Sequence, residues 1–176
     1  DAPVQAEVVG VYVTDRGRQI VGQGSNIPDG ELHHFALDSE LGTLSQAAIS
    51  TSLGLDPSQV AVDPRGRRMF VLDAPGQSVY PVEIAADGSL TVGAPVETDL
   101  DPRALALSPT GRVLYVAANG QTMGVRMTSY AVDQETGTLS VQSVMPSPAA
   151  PRLLAVDPTG RFLLGTEPSA GLLLSY

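Results

Sequence analysis

One short turn occurs three times in this chain at nearly constant spacing, and that repetition restricts the available folds more than any other feature. Val62-Asp63-Pro64-Arg65-Gly66-Arg67 returns as Leu107-Ser108-Pro109-Thr110-Gly111-Arg112 and again as Val156-Asp157-Pro158-Thr159-Gly160-Arg161. The copies stand about 45–50 residues apart. A second turn is interleaved with the first. Asp38-Ser39-Glu40-Leu41-Gly42-Thr43-Leu44 matches Asp133-Gln134-Glu135-Thr136-Gly137-Thr138-Leu139, and Ala86-Asp87-Gly88-Ser89-Leu90 is a shorter copy. In the first motif, Asp or Ser accepts hydrogen bonds from turn amides, proline arrives with φ already set, and glycine removes a steric penalty.

Short apolar runs lie between these turns and supply four strands per unit, A to D. Gln59–Val62, Met69–Leu72, Val79–Ile84 and Leu90–Val96 form one set. Ala104–Leu107, Val113–Ala117, Met127–Val132 and Leu139–Met145 form the next. A further unit begins with Leu153–Val156, Phe162–Leu164 and Gly171–Tyr176. Runs such as Val113-Leu114-Tyr115-Val116-Ala117 do not alternate between apolar and polar residues, so both faces of the sheet must be covered. Antiparallel four-stranded sheets packed face to face around an axis provide that cover. A β-sandwich offers similar strands but gives no reason for two turn motifs to repeat in register. The fold class expected is therefore all-β, a series of β-propeller blades.

Two of the blades are complete and two partial, so the chain describes an arc. Residues 1–52 form an incomplete first blade, 53–98 the second, 99–148 the third and 149–176 an incomplete fourth, together one partial propeller domain. In the first, Tyr12-Val13-Thr14-Asp15 aligns with Phe70-Val71-Leu72-Asp73 as strand B, Leu32–Leu37 is C and Leu44–Ser50 is D. Pairing Gly17-Arg18 with Gly66-Arg67 is the alternative alignment. The fourth has A, B and C.

Composition narrows the functional classes. The 176 residues carry a net charge of −9, and all ten basic residues are arginine. An acidic chain repels phosphate backbones, and no basic cluster offsets this beyond the turn arginines Arg65, Arg67 and Arg68, which excludes nucleic acid as the expected partner. No apolar run approaches the roughly 20 residues of a membrane helix, so no transmembrane segment is expected. The absence of cysteine removes disulfides and thiol chemistry. Asp1-Ala2-Pro3-Val4-Gln5 reads like the mature end left by a signal peptidase, which points to export to the periplasm or outside the cell; a trimmed cytoplasmic polypeptide would look the same.

Leu114-Tyr115-Val116-Ala117 and Tyr12-Val13-Thr14-Asp15 resemble the Tyr-Val-Thr-Asn element of the YVTN repeat. The stretch from Pro151-Arg152 through Asp157-Pro158-Thr159-Gly160-Arg161-Phe162-Leu163-Leu164 to Tyr176 is similar to late blades of bacterial lactonase-like propellers, the 6-phosphogluconolactonase type among them. The resemblance covers nearly the whole chain and implies about half of a seven-bladed ring. The remainder would come from further blades of a longer protein or from other chains, or the ring stays open with exposed strand edges.

On that template the D–A connections and B–C turns share one face, where propellers bind ligands near the axis. Pro57-Ser58, Pro102-Arg103 and Pro151-Arg152 precede strand A, while Asp15, Asp73, Ala118-Asn119 and Glu167 follow strand B. Ser58, Asp73, Arg103, Asn119, Arg152 and Glu167 are therefore the candidate ligand-binding residues, with arginine suited to hold a small anion through paired hydrogen bonds. The competing reading is that Arg103 and Arg152 pair with carboxylates of neighbouring blades.

No catalytic residue is assigned. The lactonase-like family carries histidine at the start of strand A, with arginine and glutamate nearby, whereas Ser58, Arg103 and Arg152 occupy that place here. His33 and His34 are adjacent in a strand, so they point to opposite faces and cannot act as a unit. Neither a nucleophile elbow, a phosphate loop nor a dinucleotide fingerprint occurs, and Asp99-Leu100-Asp101 opens like a calcium loop but lacks its later ligands; no metal or cofactor is expected. Val21–Asp29 reads as a loop offering a blade-specific contact, or as a spacer. The expected function is a non-catalytic binding module for protein or ligand, an accessory subunit of a larger assembly. The alternative is a lactone hydrolase with part of its active site outside this chain.

Overall fold

The computed structural model describes residues 9–15, 30–38, 40–54, 56–120 and 124–176. The first sheet contains β1 (Val9–Asp15), β2 (Glu31–Asp38) and β3 (Thr43–Ser52) in that order. The second contains β4 (Pro57–Val62), β5 (Arg68–Asp73) and β6 (Ser78–Ile84), with β7 (Leu90–Val92) and β8 (Val96–Glu97) both pairing β6. The third contains β9 (Pro102–Leu107), β10 (Val113–Gly120), β11 (Gly124–Val132) and β12 (Leu139–Pro146). The fourth contains β13 (Leu153–Val156), β14 (Leu163–Glu167) and β15 (Leu172–Ser175). Among the described residues every pairing is antiparallel, and all but that of β6 with β8 join strands adjacent in sequence. The architecture is all-β, a partial β-propeller, as the turn spacing predicts. Val21–Asp29 lies outside the described residues, as does the terminal Asp1–Gln5 segment.

The repeated turns adopt one geometry. Gly66, Gly111 and Gly160 each donate a 2.8 Å backbone bond to the carbonyl of Asp63, Ser108 or Asp157. Ser108 Oγ accepts the amide of Val113 at 3.1 Å, and Asp157 Oδ1 accepts those of Arg161 and Phe162 at 2.7 Å. In the outer hairpins, Asp38 and Asp133 likewise use Oδ1 to bind two following amides each.

Three apolar clusters sit between successive sheets. Met69 and Val71 face the first sheet, where they meet Leu32, Leu53 and Tyr12. Phe70 and Leu72 face the third sheet, where they meet Leu105, Leu114, Val116 and Tyr130. Ala104, Ala106, Ala117 and Met127 then pack against Leu154, Val156, Leu163 and Tyr176 of the fourth. This two-sided cover is why β5 reads as a continuous apolar run. Burying one such large side chain contributes about 1.5–3 kcal/mol.

The outer strand of the second sheet differs from the single run Leu90–Val96 expected from the sequence. It breaks into β7 and β8 opposite Pro81. Gly93 donates to the Pro81 carbonyl at 2.8 Å, but proline has no amide hydrogen to return the bond on that side, so the ladder opens there.

The far face of the fourth sheet is uncovered. Register places Leu153, Thr166 and Leu173 side by side, and Ala155, Leu164 and Ser175 in the next row of the same face. Leu153 is 61 % exposed, Leu164 38 % and Leu173 74 %. The alignment of the turns makes Phe70 and Tyr115 the counterparts of Leu164, and Phe70 is only 1 % exposed.

Candidate functional site

The proline that begins each inner strand is buried: Pro57, Pro102 and Pro151 anchor β4, β9 and the approach to β13. In the second and third sheets the next residue is the extra one of a β-bulge. Pro57 pairs with Asp73 and Gln59 with Leu72, leaving Ser58 out of register; Pro102 and Ala104 pair with Ala118 and Ala117, leaving out Arg103. Bulges redirect a side chain, and here they set the residues at the mouth of the inner strands.

Arg103 does not stand free. Its Nε and Nη2 donate to Asp101 Oδ2 at 3.0 and 2.7 Å, and Asn119 Nδ2 reaches the same oxygen at 3.4 Å. The amide of Asn119 also donates to the Asp101 carbonyl at 3.1 Å. Asp101 thus joins the D–A connection to the end of β10, in a left-handed conformation with φ 53°. Asp99 is engaged separately, 3.8 Å from Arg126 and 3.5 Å from the Thr128 hydroxyl that donates to it. Among the described residues no group of three or more metal-ligating side chains converges.

Glu167, at the end of β14, is buried, and its Oε1 accepts the amide of Ser169 at 3.0 Å and the Ser169 hydroxyl. Those two bonds hold its carboxyl below the usual glutamate range, and the positive charges of Arg152 and then Arg103 lower it further. Arg152 and Arg103 thus both act on Glu167, while Asn119 and Arg103 share Asp101, a residue not among the candidates.

The other two candidates have partners of their own. Ser58 Oγ donates to the Leu72 carbonyl at 3.3 Å. Asp73 is 1 % exposed, and its Oδ1 accepts the amide of Asp56 at 3.0 Å. Its Oδ2 sits so tightly against Gly54 and Gly76 that neither position has room for a Cβ. Asp73 braces the connection into β4 from beneath.

Gln59 was not singled out from the sequence. Its Nε2 donates to the carbonyl of Arg103 at 3.0 Å and to that of Arg152 at 2.8 Å, while Oε1 accepts the amide of Leu105 at 3.1 Å. One carboxamide thereby bridges the inner strands of three successive sheets.

The histidines are elsewhere. His34 is 4 % exposed, stacked on Tyr12 with ring centroids 4.9 Å apart and covered by Gly88 of the second sheet. His33 points away from it, its Nε2 3.6 Å from Glu31.

Residues 91–173 match the family described as lactonase, 7-bladed β-propeller. Over that stretch, a little under half of its length, the chain is similar to a lactonase-type propeller. No curated protein matches it. The arc superposes on a proposed 6-phosphogluconolactonase from Bacteroides uniformis with a TM-score of 0.68 at 19 % identity, over 85 % of this chain and 48 % of that one. It is similar to the periplasmic gluconolactonase PpgL of Pseudomonas aeruginosa, with a TM-score of 0.57 at 15 % identity, over 94 % and 65 % of the two chains. It also matches Chaetomium thermophilum Sqt1, solved bound to the N-terminus of ribosomal protein L10, with a TM-score of 0.54 at 17 % identity over 78 % and 38 %. The arc spans about half the length of the first solved structures that it matches, at 48 %, 47 % and 47 % of their chains. At these identities the likeness is one of fold.

Proposed function

We propose that the lactonase-like arc belongs to a non-catalytic binding protein, with a small anionic ligand held at the mouth of the inner strands. The observation that carries this reading is the convergence of Arg103 and Arg152 on one carboxamide, Gln59, from neighbouring blades. Two arginines whose backbones are tied together at adjacent blade starts suit a carboxylate or phosphate. Glu167 and Asn119 sit beside them and can accept or donate to hydroxyl groups on the same ligand. Proton-transfer chemistry is less well served. A carboxyl held below its usual range is a weak base at neutral pH, and efficient general bases have values near the working pH.

Completion of the ring follows from the same reading. The uncovered face formed by Leu153, Leu164 and Leu173 suits further blades or another protein chain as cover. Residence outside the cytoplasm fits the periplasmic gluconolactonase among the structural relatives. Cell fractionation tests that assignment, and recovery only with cytoplasmic markers would refute it.

A second reading is favoured by the family match over residues 91–173: a lactone hydrolase that draws part of its active site from outside this chain. One experiment separates the two. Hydrolysis of a lactone panel by the full-length protein, abolished by Arg152→Ala, would establish the enzyme. Saturable binding of small carboxylates or phosphates without turnover, weakened by Arg103→Ala and Arg152→Ala, supports the binding module.

A further inference from the structure

Gln59 occupies a repeat position that holds Ala104 in the third sheet and Leu153 in the fourth, in the gapless alignment Pro57-Ser58-Gln59, Pro102-Arg103-Ala104 and Pro151-Arg152-Leu153. At that position the sheet itself needs only a side chain that fits beneath the next blade. Glutamine brings something more. Its amide nitrogen donates at 3.0 and 2.8 Å to two carbonyls, and its oxygen accepts the Leu105 amide at 3.1 Å, so its donors and acceptor all act between sheets. The carbonyls it holds are those of Arg103 and Arg152, the two arginines whose charges lower the Glu167 carboxyl. The bond to Arg152 links the second sheet to the fourth, passing the third.

We propose that Gln59 is a positioning residue: by pinning the backbones of Arg103 and Arg152 to one carboxamide, it sets the separation of their guanidinium groups and thereby the affinity for a compact oxyanion. The proposal rests on the reading of the inner-strand mouth as an anion site, which it deepens. Two planar donors grip one oxyanion only when their spacing is fixed beforehand, since ordering them at the moment of binding consumes affinity. Asp101 limits how far the Arg103 side chain can compensate, because it already holds that guanidinium through two bonds.

The test uses inorganic phosphate as probe and the full-length protein. Gln59→Leu is the primary variant, because leucine is close to glutamine in volume and removes both its donors and its acceptor. Gln59→Glu is the second, keeping reach and volume while turning an acceptor towards two carbonyls. Calorimetry gives the phosphate dissociation constant, and the thermal midpoint reports the fold. Both variants are expected to weaken phosphate binding about tenfold, the equivalent of one lost hydrogen-bonded constraint, and to lower the midpoint because backbone groups lose their partner. Hydrogen exchange at the Leu105 amide is expected to accelerate in Gln59→Leu, whereas Gln59→Glu keeps an oxygen that accepts that amide. Unchanged phosphate affinity in a folded Gln59→Leu protein overturns the role of Gln59 alone. Absence of phosphate binding by the unsubstituted protein overturns the anion-site reading itself, and unchanged Leu105 exchange in Gln59→Leu overturns the bridge.

Discussion

Gly137, in the outer hairpin of the third sheet, lies directly on the guanidinium of Arg68 in the second. A Cβ at Gly137 would stand 2.7 Å from Arg68 Cδ and Nε. Beneath it, Arg68 donates to the carbonyls of Asp133, Gln134 and Glu135 at 3.4, 3.3 and 2.7 Å, and lies 3.5 Å from Glu83. The hairpin of one blade is thus clamped to the previous blade by a single side chain.

Gly137→Ala should therefore cost more than strain alone. Gly137 has φ 74° and Gly66 has φ 65°, but nothing lies within 4 Å of a Cβ at Gly66. Gly66→Ala is expected to lose about 1–2 kcal/mol from the left-handed conformation. Gly137→Ala should lose about 1–3 kcal/mol beyond that from the displaced arginine. Urea titrations of the two variants measure the difference, and equal losses would show that the clamp is unimportant.

Asp157 predicts the response to acid. The hydroxyl of Thr159, then the amide of Phe162, lower its carboxyl from 3.8 to about 2. Asp133 is lowered too, by the amide and hydroxyl of Thr136 and the amide of Glu135. A depressed folded-state value contributes stability above the unfolded value, and that stability disappears as pH falls through the folded one. Urea midpoints should stay level down to about pH 4 and fall between about pH 4 and pH 2. Asp157→Asn should be less stable at neutral pH and show a shallower fall; an identical profile would remove Asp157 from the explanation.

Asp73→Ala removes a buried acceptor and leaves the Asp56 amide without that partner. A loss of about 1–3 kcal/mol is expected in chemical denaturation. Asp101→Asn, which keeps the left-handed preference but gives up the ion pair with the half-exposed Arg103, should cost no more than about 1 kcal/mol. A reversal of that order would mean that Asp101, and not Asp73, carries the packing of this end.

The degree to which these features could be read in advance followed from their range along the chain. The turns at Asp63, Ser108 and Asp157 are local, so their residues prescribe their own hydrogen bonds, and the strands between them follow. The break opposite Pro81 was equally present in the sequence, but it depends on which side of β6 the proline nitrogen faces, which needs the pairing register. Repeat position assigns Arg103, Asn119, Arg152 and Glu167 to one face. It could not distinguish Asp73, sealed by Gly54 and Gly76, from Glu167 at the equivalent place beside two arginines. Gln59 left no trace in the repeat, because its counterparts are alanine and leucine and its partners lie one and two sheets away.

The central claim is that this chain forms an arc of a propeller whose last sheet needs cover. Light scattering on residues 1–176 alone, over a range of concentrations, tests it most directly. The exposed row of Leu153, Leu164 and Leu173 predicts concentration-dependent association, which the double variant Leu164→Gln and Leu173→Glu should reduce. A sharp monomer peak at every concentration, with a single cooperative unfolding transition, would contradict it.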